Sequence, residues 1–461
     1  MDIKFTDYND NKMNELIEFV KQRAIQYIEN IDNRKVFPID DAINKLLIFD
    51  ESLPEEPSSP IDTIELLDRI GSEATVASTG GRYFGFVIGG VVPAALGASW
   101  LASTWDQNAG IWAASPIASK IEDIALKWLK EILKLPIKSG GALVTGTTMA
   151  NFVALSAARY KLLKQCGWNI DEKGLYGAPK INIIIGEEAH TTIYKSIKML
   201  GLGNQNIIKI PVDEQGAMRA DLFPNISEPS IICLQAGNVN TGAFDPISKI
   251  CDYAKDKNTW IHVDGAFGLW ASVSPKLKNY TKNIDKADSW ATDLHKWLNI
   301  PYDNGAVFVK NEDDLIAAMS LNASYIPEGE FREPFLYTPE LSRRARGFEA
   351  WAALKSLGKS GIREIIERNC MLATILADKL SKTGIQILNE INLNQVLVHF
   401  DNNELTKKII TEVQKDGICW CGCTNWRGID AMRISVSSWK TTEKDIEMTV
   451  DSIVNCYNRN K

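Results

Sequence analysis

The sequence predicts an α/β fold made of an N-terminal helical arm, a large domain built on a mostly parallel sheet, and a small C-terminal α+β domain. From Gly141 onward, short apolar runs alternate with helical ones, which is the pattern of strands joined by crossover helices. Before that point, amphipathic segments are separated by a stretch rich in proline and acid. After Pro334 the rhythm changes to long helices, then strand and helix alternation. These changes place the boundaries at residues 1–80, 81–335 and 336–461.

Taken in order, residues 11–30 carry Met13, Leu16, Ile17, Val20, Ala24, Ile25 and Ile28 at helical spacing and predict an amphipathic helix. Residues 50–60, DESLPEEPSSP, read as a linker before a second helix at 61–70. Such an arm has little core of its own and must pack on the main body or on a second subunit. Ser115-Pro116 is a helix start, because serine caps and proline fits the first turn. The expected strands are 142–144, 181–185, 207–210, 231–235, 260–264 and 305–310, with ligands at their carboxyl ends. In the last domain, helices are expected at 346–357 and 362–380, followed by strand and helix alternation over 395–454.

Composition narrows the function. The chain is 45% hydrophobic and 24% charged, with a net charge of −7 and no Lys/Arg-rich run, which argues against a nucleic-acid partner. The start, MDIKFTDYND, lacks the basic flank and apolar core of a signal peptide, and eight cysteines are sparse, so a reduced cytoplasmic protein is expected. The apolar run at 84–105 is broken by Gly85, Gly89, Gly90, Pro93 and Gly97, so no membrane span is expected.

Chemistry concentrates in residues 288–299, DSWATDLHKWLN. A lysine in apolar, aromatic surroundings can give up its proton and attack a carbonyl to form an imine, and Lys296 is that candidate. If the carbonyl compound carries a pyridine ring, as pyridoxal phosphate does, an acid must keep the ring nitrogen protonated. Asp264, at the end of a predicted strand, is well placed for that. Residues 144–151, VTGTTMAN, end a strand and open a helix whose N–H groups favour an anion, with Thr147 and Thr148 adding hydroxyls. That suits a phosphate, although a plain helix cap reads the same way.

Of four histidines, His190, His262 and His295 fall at strand edges or beside the lysine, and His190 can stack on a flat cofactor ring. His399 reads as structural. No histidine pair has the spacing of a metal motif, so no metal is expected. Cys419, Cys421 and Cys423 alternate, which on a strand puts all three sulfurs on one face, and a buried face is the favoured reading over metal or redox chemistry.

Together TGTTMAN, GEEAH at 186–190, HVDGAFGLWA at 262–271 and DLHKW at 293–297 resemble the group II pyridoxal-phosphate-dependent decarboxylases, the family of aromatic L-amino-acid, glutamate and diaminobutyrate decarboxylases. The resemblance extends to WAASP at 112–116 and SRRARG at 342–347. It implies a fold-type I (aspartate aminotransferase-like) homodimer with the active site at the subunit interface. It further implies that Lys296 forms the imine, Asp264 holds the pyridine nitrogen, His190 stacks on the ring, Thr147 and Thr148 bind phosphate, Ala266 lies under the ring and His295 neighbours the imine. The residue two before His295 often contacts phosphate in this family. Here it is the anionic Asp293, which shifts that contact towards the Thr292 hydroxyl. Asn238 or Asn240 is expected to touch the cofactor, and Tyr325, on a loop, to return the proton to Cα.

The implied reaction is decarboxylation of an L-amino acid to its amine. The segment 82–90, RYFGFVIGG, offers Phe86 and Ile88 to an aromatic side chain, while Arg82 can pair with a carboxylate. Asn108, Ala109 and Gly110 stand where aromatic-specific relatives tend to be bulkier, leaving room for a larger or more polar substrate. Glutamate- or diaminobutyrate-like substrates thus stay open. So does a fold-type I aminotransferase using Arg433 to grip the carboxylate.

Overall fold

The computed structural model describes residues 10–320 and 331–461. Helices α1 (Asp10–Asn30), α2 (Asp40–Asn44) and α3 (Pro60–Leu66) precede α4 (Pro93–Trp105) and α5 (Pro116–Ile132). Ser115 caps α5 by accepting the Ala118 N–H, with Pro116 in the first turn as the sequence predicts.

The main sheet contains β1 (Gly140–Val144), β2 (Asn182–Gly186), β3 (Ile207–Ile210), β4 (Ser230–Gln235), β5 (Thr259–Asp264), β6 (Ser289–Asp293) and β7 (Gly305–Val309), ordered β1-β7-β6-β5-β4-β2-β3. β7 runs antiparallel to both neighbours and the remaining pairings are parallel. Helices α6 (Thr147–Gln165), α7 (Ile170–Lys173), α8 (Thr191–Met199), α9 (Ile247–Ala254) and α10 (Glu312–Met319) lie between and after these strands. One core cluster holds Trp270, Trp290 and Trp297, and a second gathers α6 and α8 around Val153, Leu162 and Ile197. Burial on both faces explains why these strands read as continuous apolar runs.

β6 is the strand the sequence reading omits. Its SWATD stretch is too polar to resemble a buried strand, yet all five residues are buried. Each polar side chain has found a partner there. Ser289 Oγ accepts from Trp260 Nε1 at 2.8 Å, Thr292 Oγ1 lies 3.4 Å from the Ala266 carbonyl, and Asp293 Oδ1 accepts the Thr147 N–H at 2.6 Å.

The C-terminal part begins with α11 (Gly347–Lys382), two helical rods joined at Gly358, where a φ of +60° breaks the helix. The second sheet has β8 (Gln386–Ile387), β9 (Gln395–His399), β10 (Gly422–Trp426) and β11 (Ile429–Ser435), antiparallel in the order β10-β11-β9-β8 and accompanied by α12 (Asn403–Asp416) and α13 (Glu443–Asn460). The three alternating cysteines do not share one environment. Cys419 and Cys421 are buried in the core of this part, whereas Cys423 is exposed on the edge strand β10.

The SRRARG motif is a set of ties between the two parts. Arg343 grips Glu122 of α5 through contacts of 2.8 and 3.2 Å, both side chains only 1% exposed, and also donates to the Leu143 carbonyl at 2.7 Å. Arg344 pairs with Glu349, and Arg346 with Asp303 at 2.9 Å. Removing Arg343 alone would leave the buried Glu122 carboxylate to the more distant Arg332, 3.8 Å away, at a cost below the about 3–5 kcal/mol of a fully uncompensated buried charge. Among the described residues no helix is long and apolar enough to cross a membrane.

Candidate active site

The carboxyl ends of the strands meet at a cavity of about 340 Å³ lined by Thr147, Thr148, His190, Asp264, His295 and Lys296 among others. β5 delivers Asp264, the turn after β6 delivers His295 and Lys296, the opening of α6 delivers the threonines, and His190 is the N-cap of α8. Segments far apart in sequence thus converge because a parallel sheet puts all its carboxyl ends on one edge. The loop before α4 also reaches this turn. A Cβ on Gly89 would come within 1.9 Å of the Lys296 carbonyl, so only glycine lets the two backbones approach.

A continuous hydrogen-bond chain supports the acid. Trp260 Nε1 donates to Ser289 Oγ, which contacts His262 Nδ1 at 2.9 Å, and His262 Nε2 contacts Asn151 Oδ1 at 2.9 Å. Asn151 Nδ2 then donates to Asp264 Oδ2 at 3.1 Å and to Thr192 Oγ1 at 3.3 Å. His190 Nδ1 accepts the Thr192 N–H at 3.3 Å, which leaves its Nε2 to carry the proton. Burial pushes Asp264 up, while His190, Asn151 and Lys296 pull the other way. Burial pushes His190 down, with Asp264 opposing. Asn151, one helical turn beyond Thr147, escaped the sequence reading; the spacing of four residues on one face was the available signal.

Burial takes His262 down to about 3. A histidine whose folded value lies below its unfolded value of about 6.5 contributes stability above that pH and loses it as pH falls towards the folded value. A gap of that size is worth on the order of 5 kcal/mol. His262→Asn is therefore expected to flatten the acid limb of a thermal-unfolding profile between about pH 6.5 and 3; an unchanged limb would remove His262 from the account.

One end of the cavity is formed by the opening of α6. Thr147 Oγ1 is buried with no hydrogen-bond partner among the described residues, and Thr147 is the first residue of α6. Asp293, not Thr292, reaches this point. Thr292 is fully buried with its hydroxyl turned to the Ala266 carbonyl, because neighbouring residues of β6 face opposite sides of the sheet. Asp293 Oδ2 lies 2.8 Å from Lys296 Nζ. Burial would raise its carboxyl, but Lys296 first and then His295 hold it below the usual carboxylate range. His295 Nδ1 accepts the Asn304 N–H at 3.1 Å, and its ring lies 4.3 Å from that of Tyr302.

Several other expectations meet different geometry. Ala266 lines the cavity, but Asn238 is fully buried and holds its own turn, accepting from the Asn240 and Thr241 N–H groups at 2.8 and 3.3 Å. Asn240 instead lines a neighbouring cavity of about 540 Å³ with Phe86, His190, Val239, Lys296 and Arg433. Arg82 points away from both, bonded to the Asp32 carbonyl and 3.7 Å from Asp445. Ile88 is partly buried and lines neither cavity. Gly110 does not open a pocket: a Cβ there would meet the Leu341 carbonyl at 1.9 Å, and Asn108 Oδ1 pins the same crossing through the Arg343 N–H at 3.2 Å. Tyr325 lies outside the described residues.

A lysine, a buried acid and the N-terminal opening of a helix around one cavity at the edge of such a sheet fit pyridoxal phosphate, and the protein is a pyridoxal-phosphate-dependent enzyme. The chain belongs to the pyridoxal-dependent decarboxylase family, whose model, described as "Pyridoxal-dependent decarboxylase conserved domain", matches residues 49–401. It is an amino acid decarboxylase. It is 26% identical over 451 residues to an aromatic-L-amino-acid decarboxylase of Bacillus atrophaeus, covering 91% of both chains. It is also 29% identical over 324 residues to an acidic amino acid decarboxylase of Bos taurus, covering 67% of this chain and 61% of that one. The fold matches a crystal structure of Oryza sativa TDC with PLP and tryptamine, with a TM-score of 0.91, 20% identity and 99% of each chain covered.

Proposed function

We propose that this decarboxylase takes aromatic L-amino acids and acts as a cytoplasmic homodimer. The observation that carries the substrate reading is Phe86. Held at a φ of +52°, it is 56% exposed and presents its ring to the cavity that Lys296 also lines. Trp426 lines the same cavity, adding aromatic surface to its wall. The similarity to the Bacillus aromatic-L-amino-acid decarboxylase over nearly the whole chain agrees with this.

Pyridoxal phosphate, when bound, supplies the electron-accepting ring that takes the bonding pair of the departing carboxylate. The protein's own groups would do the rest. Lys296 Nζ would hold the cofactor aldehyde until substrate amine replaces it, and Asp264 would keep a proton on the ring nitrogen. His190 and Ala266 would face the ring, His295 would stay beside the lysine, and Thr147 and Thr148 would seat the phosphate through the α6 opening. The second subunit would cover the arm. A largely apolar groove of about 1020 Å³ runs between α1, α3 and α4, lined by Val20, Ala24, Ile28, Leu67, Leu96 and Trp100, and Trp105 and Leu101 are exposed nearby.

One feature favours a second reading, an acidic substrate. The Arg433 guanidinium faces the same cavity with no hydrogen bond or ion pair among the described residues, and burial pushes it down. A half-buried cation without a partner among the described residues suits a carboxylate. Competition between phenylalanine-type and glutamate-type amino acids, read as amine products by mass spectrometry, decides between the two. The aromatic reading expects aromatic amines from wild type, whereas predominant acidic-substrate turnover that collapses in Arg433→Met would overturn it.

A further inference from the structure

Pyridoxal phosphate carries four polar groups. Lys296 suits its aldehyde, Asp264 its ring nitrogen, and Thr147 with Thr148 its phosphate, which leaves the ring hydroxyl without a partner. The direction of that hydroxyl follows from the covalent order of the ring. The aldehyde carbon and the nitrogen stand at opposite ends of one axis, with the phosphate arm on one side of it and the hydroxyl on the other. In the sheet order β1-β7-β6-β5-β4-β2-β3, α6 follows β1 on one side of β5. The hydroxyl therefore turns to the other side, where β4 runs beside β5.

β4 ends in Gln235, the parallel register partner of Asp264, and this residue lines the cavity of about 340 Å³. Gln235 is 9% exposed, and its side-chain amide makes no hydrogen bond among the described residues. An amide buried without a partner is costly, so one left in that state at a cavity wall points to a ligand. Asp245 fixes where the side chain starts: the Gln235 N–H donates to Asp245 Oδ2 at 2.6 Å, and the Gln235 carbonyl accepts the Asp245 N–H at 3.0 Å. Gln235 also borders a cleft of about 10 Å³, which holds about one water and no larger ligand. Neighbouring polar groups are already engaged. Thr192 Oγ1 contacts His190 Nδ1 at 2.8 Å, and Asn238 Nδ2 donates to Glu188 Oε2 at 3.1 Å, while Val239 and Phe267 offer the cavity only apolar side chains.

We propose that the Gln235 side-chain amide donates an N–H to the ring hydroxyl oxygen of pyridoxal phosphate, and that this bond fixes the rotation of the ring between Lys296 and Asp264. Gln235 is thus a cofactor-binding residue. The contact is a hydrogen bond alone, with no proton transferred and nothing oxidised or reduced. The inference rests on the proposed placement of the cofactor, with its phosphate at Thr147 and Thr148.

The test is a double comparison of dissociation constants, read by equilibrium dialysis on cofactor-stripped protein. Wild type and Gln235→Met, which keeps the side-chain length but no donor, are each given pyridoxal phosphate and 3-deoxypyridoxal phosphate, which carries hydrogen in place of the ring hydroxyl. Changes in the ring itself are common to both proteins and cancel in the comparison. Gln235→Met is expected to lose about tenfold in affinity for pyridoxal phosphate and to bind the deoxy analogue as wild type does. Equal losses for the two ligands would mean that Gln235 only packs against the ring, and no loss for either would mean that it does not reach it; both overturn the proposal. Should Gln235→Met not fold, Gln235→Ala is read in the same way. The placement is checked separately with Thr147→Ala/Thr148→Ala and pyridoxal, which lacks the phosphate. If that variant weakens pyridoxal phosphate more than pyridoxal, the phosphate seat stands whatever becomes of Gln235. If it does not, the seat fails and the proposal fails with it.

Discussion

Lys296→Ala is expected to abolish turnover, with a fall of at least about 10³-fold in kcat and loss of the visible absorbance of the lysine–cofactor imine. The expectation follows from placement. Lys296 is the amine that lines both the cavity at the α6 opening and the adjoining cavity that holds Phe86 and Arg433. Folding should survive, because the side chain is partly exposed and its described ion pair is the one to Asp293. The variant is therefore expected to keep a cooperative thermal transition. Stoichiometric pyridoxal phosphate that still gives the imine absorbance in Lys296→Ala would show that another amine holds the cofactor.

The second large effect is at Asp264. Asp264→Asn keeps the shape and an acceptor for the Ala266 N–H, at 3.2 Å in the native protein, but removes the charge that would hold a proton on the ring nitrogen. On the order of 10³-fold loss in kcat is expected, with the imine absorbance retained. Thermal unfolding supplies an independent reading. Burial disfavours the Asp264 carboxylate, so a bound cation at the ring nitrogen offsets part of that cost and the cofactor should raise the melting temperature. Asp264→Asn should show a smaller rise. A kcat within a few-fold of wild type would assign the ring nitrogen to some other partner.

The joint requirements of this site explain why its parts were unequally legible. Lys296, Asp264, His190, Thr147 and Thr148 stand in local motifs at strand ends and helix openings, and one parallel sheet brings such ends together whatever the rest of the chain does. Arg82, Ile88, Asn108 and Gly110 carried no comparable local signal. Arg82 holds the arm and α13, and Gly110 is small because the Leu341 carbonyl crosses over it. Residue type alone could not separate a pocket wall from a backbone crossing. Thr292 and Asp293 differ by one position in a strand, which is enough to exchange the cavity for the sheet interior.

By itself, then, the amino-acid order determined the α/β class, most of the strands and the motifs around Lys296, because periodic apolar runs and helix-opening threonines are local properties. Tertiary structure decided the rest. It made a buried strand of the polar SWATD stretch by supplying a partner for each side chain, and joined Trp260, Ser289, His262 and Asn151 into the support for Asp264. It also set Asp293 against the α6 opening. Those outcomes depend on hydrogen bonds between residues as much as 146 positions apart, such as Thr147 to Asp293, and pairing at that range leaves no trace in local periodicity.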